Sequence, residues 1–514
     1  MATARSILQV VESFQKSRTL FARTIAELAL KPQNVEILHN AGVLVLLRPL
    51  LLDCIPQIQQ LAALGLSRLA NYSEELAEVF VTEKILQQVL FPLRDINRHN
   101  KKAAANVLRA VAKHTAPLAQ AVVESGALEP LVHCLEEFDP SVKEAGASTL
   151  ANIARHNARL AQAVADARAI GFLILCVQEP EIALRTAAGT ALSEIAKHTP
   201  ELSQVVIEAG ATPHLAALLT HNDFRVKRVG CLALSQLARH VEDQAEAVVE
   251  QEIFPKMFGC LKDQDPQLRR NGATLIREVV KHSAALAQLV VGAGGLSVLI
   301  ENISDTFGNE RLPGIMAVGY IGAFDEMLSS SVIASGGVAA MVCALVQEHE
   351  DHIKSASAWA LGQIGKHGPV HALAVAEAGA LPHLVATFLS KTSSEDLQSK
   401  CKKALKNLSD RLSHLPALDS LLQGPMLPEG ILKYVLGSLA KVLAADSDAR
   451  AKFVTSGGFE KLQNLAAEPG TELRECIDLI NSVYPVEIVH YYSPGYSEVL
   501  LKKLTGAKPA IPVG

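Results

Sequence analysis

The side chains in this sequence that could do chemistry are spaced too regularly for a single active site. His114, His156, His198, His240 and His282 stand 42 residues apart, and His367 resumes the series after Phe324 takes one slot. An imidazole can serve as a general base or a metal ligand, but either role needs it once, beside fixed partners. Six copies in register serve a structural unit, by packing and hydrogen bonding at the end of a helix. The eight cysteines read the same way. None forms a C-x-x-C pair, so neither a zinc site nor a redox motif is signalled. Cys134, Cys176 and Cys260 share one phase of the period, as small core residues in a reducing compartment would. His349-Glu350-Asp351-His352 brings two imidazoles to two acids, yet lacks a third fixed ligand and reads as a solvated loop before a helix. No phosphate-binding loop, H-E-x-x-H, nucleophile elbow or dinucleotide fingerprint occurs. Neither catalysis nor a metal or cofactor is expected.

The elements that carry these residues follow from the same period. Gly42, Gly126, Gly210, Gly294 and Gly336 fall on multiples of 42, while Lys84, Arg168 and Glu252 fill the missing multiples. Gly379 and His367 share a one-residue slip, so two independent anchors agree. Each unit reads as three helices. In the fifth, Thr199 caps a first helix with Pro200 at its first position, and Ala209-Gly210 ends it. A second helix spans His214–Thr220, and Asn222-Asp223 caps a third that runs to about His240. Units of this size cannot bury an apolar face alone and must stack. The 514-residue length, 49% hydrophobic content and 4% aromatic content, with Trp359 the sole tryptophan, suit closely packed helices better than one compact core. A net charge of −5 argues against a nucleic-acid partner. The longest apolar run, around Val43–Leu52, is broken by Arg48 and Pro49, so no membrane partner is expected. The N-terminus lacks a signal-peptide core, and Glu12 and Glu27 count against a mitochondrial presequence.

Two basic series keep the same register. Thirteen residues before each His slot stand Lys101, Lys143, Arg185, Lys227, Arg269, Arg311 and Lys354. Asp139, Glu181, Asp223, Asp265 and Glu350 precede five of them by four residues, which predicts helix-stabilising i, i+4 pairs. The residue before each His is also basic: Lys113, Arg155, Lys197, Arg239, Lys281 and Lys366. Most of these lack an acid four residues upstream. Cation placement at a helix C-terminus explains them as well as partner binding does. With Lys102, Arg109, Arg228, Arg270 and Arg277 on or near the same helical face, they compose a candidate basic stripe for an extended acidic partner.

Stretches such as Ala145–Ala154 and Ala356–Ile364 resemble the third helix of armadillo repeats. That likeness implies an all-α, right-handed superhelical solenoid of about ten three-helix repeats, with the third helices lining a concave groove. Nuclear-import members repeat Trp and Asn along that groove. Here the Trp slots hold Asn106, Ser148, Thr190, Leu232, Thr274, Met316 and Trp359, and the Asn slots Ala110, Asn152, Glu194, Gln236, Glu278, Tyr320 and Gln363. Both ends depart from the period. The expected layout is an N-terminal capping helix over 1–30, repeats over 31–412, degenerate repeats and a C-terminal cap over 413–490, and a tail over 491–514. Ile7, Val11, Phe14, Phe21, Ile25 and Leu28 are spaced like a coiled-coil seam interrupted by Arg18, which leaves self-association as a second option to capping.

The flanks are more specific than the repeats. QVVESFQKSRTLFARTIAELALKPQNVEILHNAGV (9–43) and YPVEIVHYYSPGYSEVLL (484–501) resemble the sperm-associated antigen six family, armadillo proteins of the axonemal central pair. The resemblance implies a non-enzymatic scaffold in the cytoplasm and cytoskeleton of the cilium or flagellum. Its partners would be other central-apparatus proteins and the microtubule, directly or indirectly. The alternative is a soluble armadillo adaptor that holds an extended acidic peptide in its groove.

Overall fold

A computed structural model describes residues 2–496, with side chains from residue 7 onward. The expected tail beyond 496, and with it the end of the 484–501 string, lies outside the described residues. Every element among those residues is an α- or 3-10 helix. The chain divides into two compact units, Met1–His282 and Ser283–Gly514.

The first unit opens with the helix Ala2–Leu28, followed by six helix triples. Their third helices, Pro56–Tyr72, Arg98–Ala112, Pro140–Ala154, Ile182–Ala196, Phe224–Leu237 and Pro266–Val280, pack on one another in sequence. The opening helix is used unevenly. Ala22, Ile25 and Ala26 are buried, Arg18 pairs with the buried Asp53, and Arg68 donates to the Ala26 carbonyl. Ile7, Val11 and Phe14, about two to four turns before Ala22, are exposed.

Local chemistry explains each triple. In the fifth repeat Thr199 accepts a hydrogen bond from the Leu202 amide, and Pro200 begins the helix Pro200–Glu208. Gly210 then turns at φ +84°, Ala211–Ala217 continues into a 3-10 turn at Leu218–Thr220, and Asp223 caps Phe224–Leu237. The third helix therefore stops three residues short of His240. Glycine suits the turn because an L side chain there strains the backbone. Lys84, Arg168 and Glu252 adopt the same left-handed turn, at φ 55°, 62° and 53°. The missing glycines of the period are thus missing in residue type only.

A second small-residue slot brings the second and third helices together. A Cβ added at Gly146 would lie 3.0 Å from the Cys134 Cβ, and one at Gly230 would lie 2.9 Å from the Leu218 Cβ. The in-phase cysteines sit under this contact. Cys134, Cys176 and Cys260 are each about 1% exposed. Burial pushes the Cys134 thiol up to about 12 and the Cys176 thiol up to about 11, so neither forms a reactive thiolate near neutral pH.

The second unit contains the triples beginning at Ala284, Glu326 and Pro369. Leu415–Gln423 is then followed directly by the long helix Glu429–Ala445, so this repeat has lost its second helix to the segment 424–428. That deletion is the structural content of the proline-rich irregularity in the sequence. A further triple follows: Ser447–Thr455, Gly458–Gln463 and Glu472–Ser482. Phe459 sits at its centre, with Tyr484 and Tyr492 rings 4.4 and 5.7 Å away.

Candidate functional site

The histidine ladder is a set of clasps between repeats. His156 Nε2 lies 2.7 Å from the carbonyl of Ala112, the last residue of the preceding third helix. His114, His198, His240 and His282 make the same bond to Ala70, Ala154, Ala196 and Ala238 at 2.7–2.9 Å, and His367 to Gly322 at 2.8 Å. The last carbonyls of a helix lack internal donors. Each imidazole supplies one from the following repeat, which is why one histidine is needed per period. Burial pushes His198, His240 and His367 below the usual imidazole range, which favours the neutral ring that donates from Nε2. His352 bonds instead to Asn309 at 2.8 Å.

Lys101, Lys143, Lys227 and Arg311 of the first basic series are paired with acids, but not with the expected ones. Three of the five acids four residues upstream are helix caps. Asp139 accepts from the Ser141 amide, Asp223 from Arg225 and Asp265 from Leu268. The cations reach instead to the loop before the next third helix: Lys101 to Glu137, Lys143 to Glu179 at 2.7 Å, Lys227 to Asp263 at 3.1 Å, and Arg311 to Glu348 at 3.1 Å. The predicted i, i+4 pairs of Lys143 and Lys227 are therefore corrected to pairs between neighbouring repeats, while Arg185 and Arg269 bond carbonyls of the loop before their own helix. A capping carboxylate is held by backbone amides at the helix start, while a lysine one turn in is free to cross the repeat boundary.

The second series is less open than its sequence suggests. Lys197 pairs with Glu194, and both Lys281 and Arg277 pair with Glu278, acids three residues upstream of the lysines rather than four. Burial works to raise the Glu278 carboxyl, but bonds from Lys281 and Arg277 hold it below its usual range. Lys113 donates to the Asn71 carbonyl at 2.7 Å, Lys366 to Gln363 at 2.7 Å, and Arg239 to Gln236 at 3.4 Å. Arg228 binds Asp265 through two nitrogens, and Arg109 lies 3.9 Å from Glu144. The side chains of Lys102, Arg155 and Arg270 make no hydrogen bond or ion pair among the described residues, although the Lys102 charge adds to the Ser141 bonds that hold the Asp139 carboxyl low, and Arg155 and Arg270 are exposed.

Between the third helices of the first unit runs a cleft of about 430 Å³, lined by Arg109, Glu144, Ser148, Asn152, Thr186 and Thr190. Its walls mix alanines with polar and charged side chains and hold no aromatic ring, and the Thr190 hydroxyl is already bonded to its own helix at 2.6 Å. The second unit differs. A cleft of about 390 Å³ is lined there by Leu312, Met316, Tyr320, Ser355, Trp359 and Lys400, among others. The basic stripe omitted it. Its signal was present in the sequence as consecutive apolar groove residues at Met316, Tyr320 and Trp359. Among the described residues no group of three or more His, Cys, Asp or Glu is placed to hold a metal ion, and no single helix is long and apolar enough to cross a membrane.

Comparisons with known proteins agree with this architecture. The family model described as Armadillo/beta-catenin-like repeat matches residues 115–155 and 199–239. Sperm-associated antigen 6 of mouse is 65% identical over 505 residues, covering 98% of this chain and 99% of the relative. Sperm-associated antigen 6 of human gives the same identity and coverage. A crystal structure of an engineered protein superposes with a TM-score of 0.69 at 21% identity, over 86% of this chain and 98% of that one, which supports the fold alone.

Proposed function

This chain belongs to the sperm-associated antigen 6 family, and on that premise we propose that it is a non-enzymatic structural scaffold of the axonemal central apparatus. It acts in the cytoskeleton of the motile cilium or flagellum. It binds microtubule-associated partners through its third-helix groove and is needed for motility. The observation that carries this reading is the 65% identity with two sperm-associated proteins over 98% of the chain, a span that reaches into the flanks where the repeat period fails. The clasped repeats support it from the side of mechanics. Six histidine bonds and several ion pairs tie neighbouring repeats together within each unit, as suits a protein that holds others in place during beating.

In this reading 1–30 caps the array, 31–412 carries the repeats, 413–490 closes it, and 491–514 is a tail. The groove contacts are the cations Lys102, Arg109, Lys113, Arg155, Lys197, Arg228, Arg239, Arg270, Arg277, Lys281 and Lys366, facing an extended acidic segment. The exposed Ile7, Val11 and Phe14 of the first helix offer a surface for self-association. Tagging the protein in a motile flagellated cell and extracting with detergent tests the assignment. Signal should stay on the bare axoneme. Signal that washes out with the soluble fraction overturns the scaffold reading in favour of an adaptor.

A further inference from the structure

We propose that the third-helix groove of the second unit contains a docking cleft for one large apolar side chain of an extended acidic protein segment. This rests on the reading that the groove takes acidic partners, and gives that reading a specific anchor outside the basic stripe. The cleft lies between Leu312–Phe324, Asp351–Gly365 and Glu395–Arg411.

Three observations converge on it. Its wall is apolar and aromatic, made by Leu312, Met316, Tyr320 and Trp359. Tyr320 meets the indole edge-on, with ring centroids 5.1 Å apart at 69°. Gly319 makes room for that indole, since a Cβ there would come within 2.4 Å of Cζ3. The half-buried ring is thereby held as a rigid surface rather than a mobile one, which lowers the ordering cost of binding. Next, Ser355 lines the cleft at 4% exposure, and its Oγ has no hydrogen-bond partner. Buried hydroxyls are normally bonded, and this one keeps an unused donor beside the cleft, which a rotation of the side chain would turn to a backbone carbonyl of a segment lying in the groove. Finally, Lys400 stands on the rim, and Lys403 follows it one turn later on the same helix. Neither has a carboxylate partner among the described residues.

The apolar wall selects a large apolar side chain, and the lysines select acidic residues beside it. Asp396 lies at the start of the same helix, so acids are favoured along the lysines and disfavoured at that end. The equivalent cleft of the first unit, lined by Ser148 and Thr190, offers no such wall.

Trp359 is the sole tryptophan, so its emission reports on this cleft alone. The full chain is titrated with a labelled synthetic peptide of one Phe followed by four Glu, and with the same peptide carrying Ala for Phe. The Phe peptide should shift Trp359 emission. The Ala peptide should bind about tenfold or more weakly, because burial of the ring is lost. The surface variant Lys400→Glu/Lys403→Glu, checked for helicity, should weaken the Phe peptide by about tenfold at low salt, and Ser355→Ala by about threefold. Peptide binding by anisotropy with unmoved Trp359 emission, or equal affinity for both peptides, overturns the cleft while leaving the acidic-groove reading intact. Binding of neither peptide by the intact chain overturns both.

Discussion

Lys84, Arg168 and Glu252 hold a backbone conformation that glycine occupies elsewhere in the period. The glycines at the equivalent turns have nothing within 4 Å of where a Cβ would lie, so the strain is in the backbone and not in packing. Replacing each with glycine should raise stability by about 0.5–1 kcal/mol, as relief of the left-handed strain outweighs the added chain entropy. Denaturant unfolding of Arg168→Gly, compared with Arg168→Ala, measures it, and only the glycine variant should gain. The histidine clasps make a pH prediction with a definite sign. His198, His240 and His367 have folded values below the ordinary 6.5, so the unfolded chain takes up protons first. Stability from these residues is full above about pH 6.5 and is lost as pH falls below it, toward the lowered folded values. Melting temperature should therefore fall between about pH 7 and pH 5.5, and less steeply in a His198→Gln/His240→Gln/His367→Gln variant. An equally steep fall in that variant would place the titration elsewhere.

At the scale of the helix, the glycines inside helices divide by what surrounds them. Gly362 faces the backbone of Ala404, with a Cβ position 2.8 Å from its Cα. Backbone cannot move aside as a side-chain tip can, so Gly362→Val should cost about 1–3 kcal/mol and lower the unfolding midpoint. Gly259, on the helix Phe254–Leu261, has open space around its Cβ position, and Gly259→Ala should be stabilising by up to about 1 kcal/mol through helix propensity alone. Chemical unfolding of the two variants separates packing from propensity. Helix starts and stops were legible because caps and turns are chosen by the residue itself: Thr199, Asp223 and Gly210 act within three residues of their own position. The ion-pair partners were not legible. Lys143 reaches Glu179, 36 residues on, and only stacking decides that these two meet.

At the scale of the molecule, the basic stripe is a field with gaps. Lys197 and Lys281 are neutralised by neighbouring glutamates, whereas Lys102, Arg155 and Arg270 lack such partners among the described residues. Charge reversal of Lys102, Arg155 and Arg270 should therefore weaken binding of an acidic partner by about threefold or more at low salt, with the difference shrinking as salt rises. Reversal of Lys197 and Lys281 should do less to the salt dependence and more to stability, since the latter strands the buried Glu278 beside a new acid. Affinity measured against ionic strength distinguishes the two sets. If neither set alters the salt slope, the stripe belongs to the fold and not to a partner.

The sequence by itself determined the period, the three-helix unit, the structural use of the phased histidines and cysteines, and the all-helical class. Each depends on residue type and spacing along the chain, and a repeat states them many times over. Only the tertiary structure decided what each phased residue touches. The same interval that places a histidine at every 42nd position leaves open whether it faces its own helix or the one before, and stacking resolved this in favour of the preceding carbonyl. It likewise moved lysines from acids four residues away to acids a repeat away. It also gathered Tyr320, Ser355, Trp359 and Lys400, four residues from three helices, around one cleft. Contacts within a turn of helix are fixed by local geometry, but contacts between repeats depend on how the backbones approach, and that is set by small residues such as Gly319 whose effect appears only when the helices are packed.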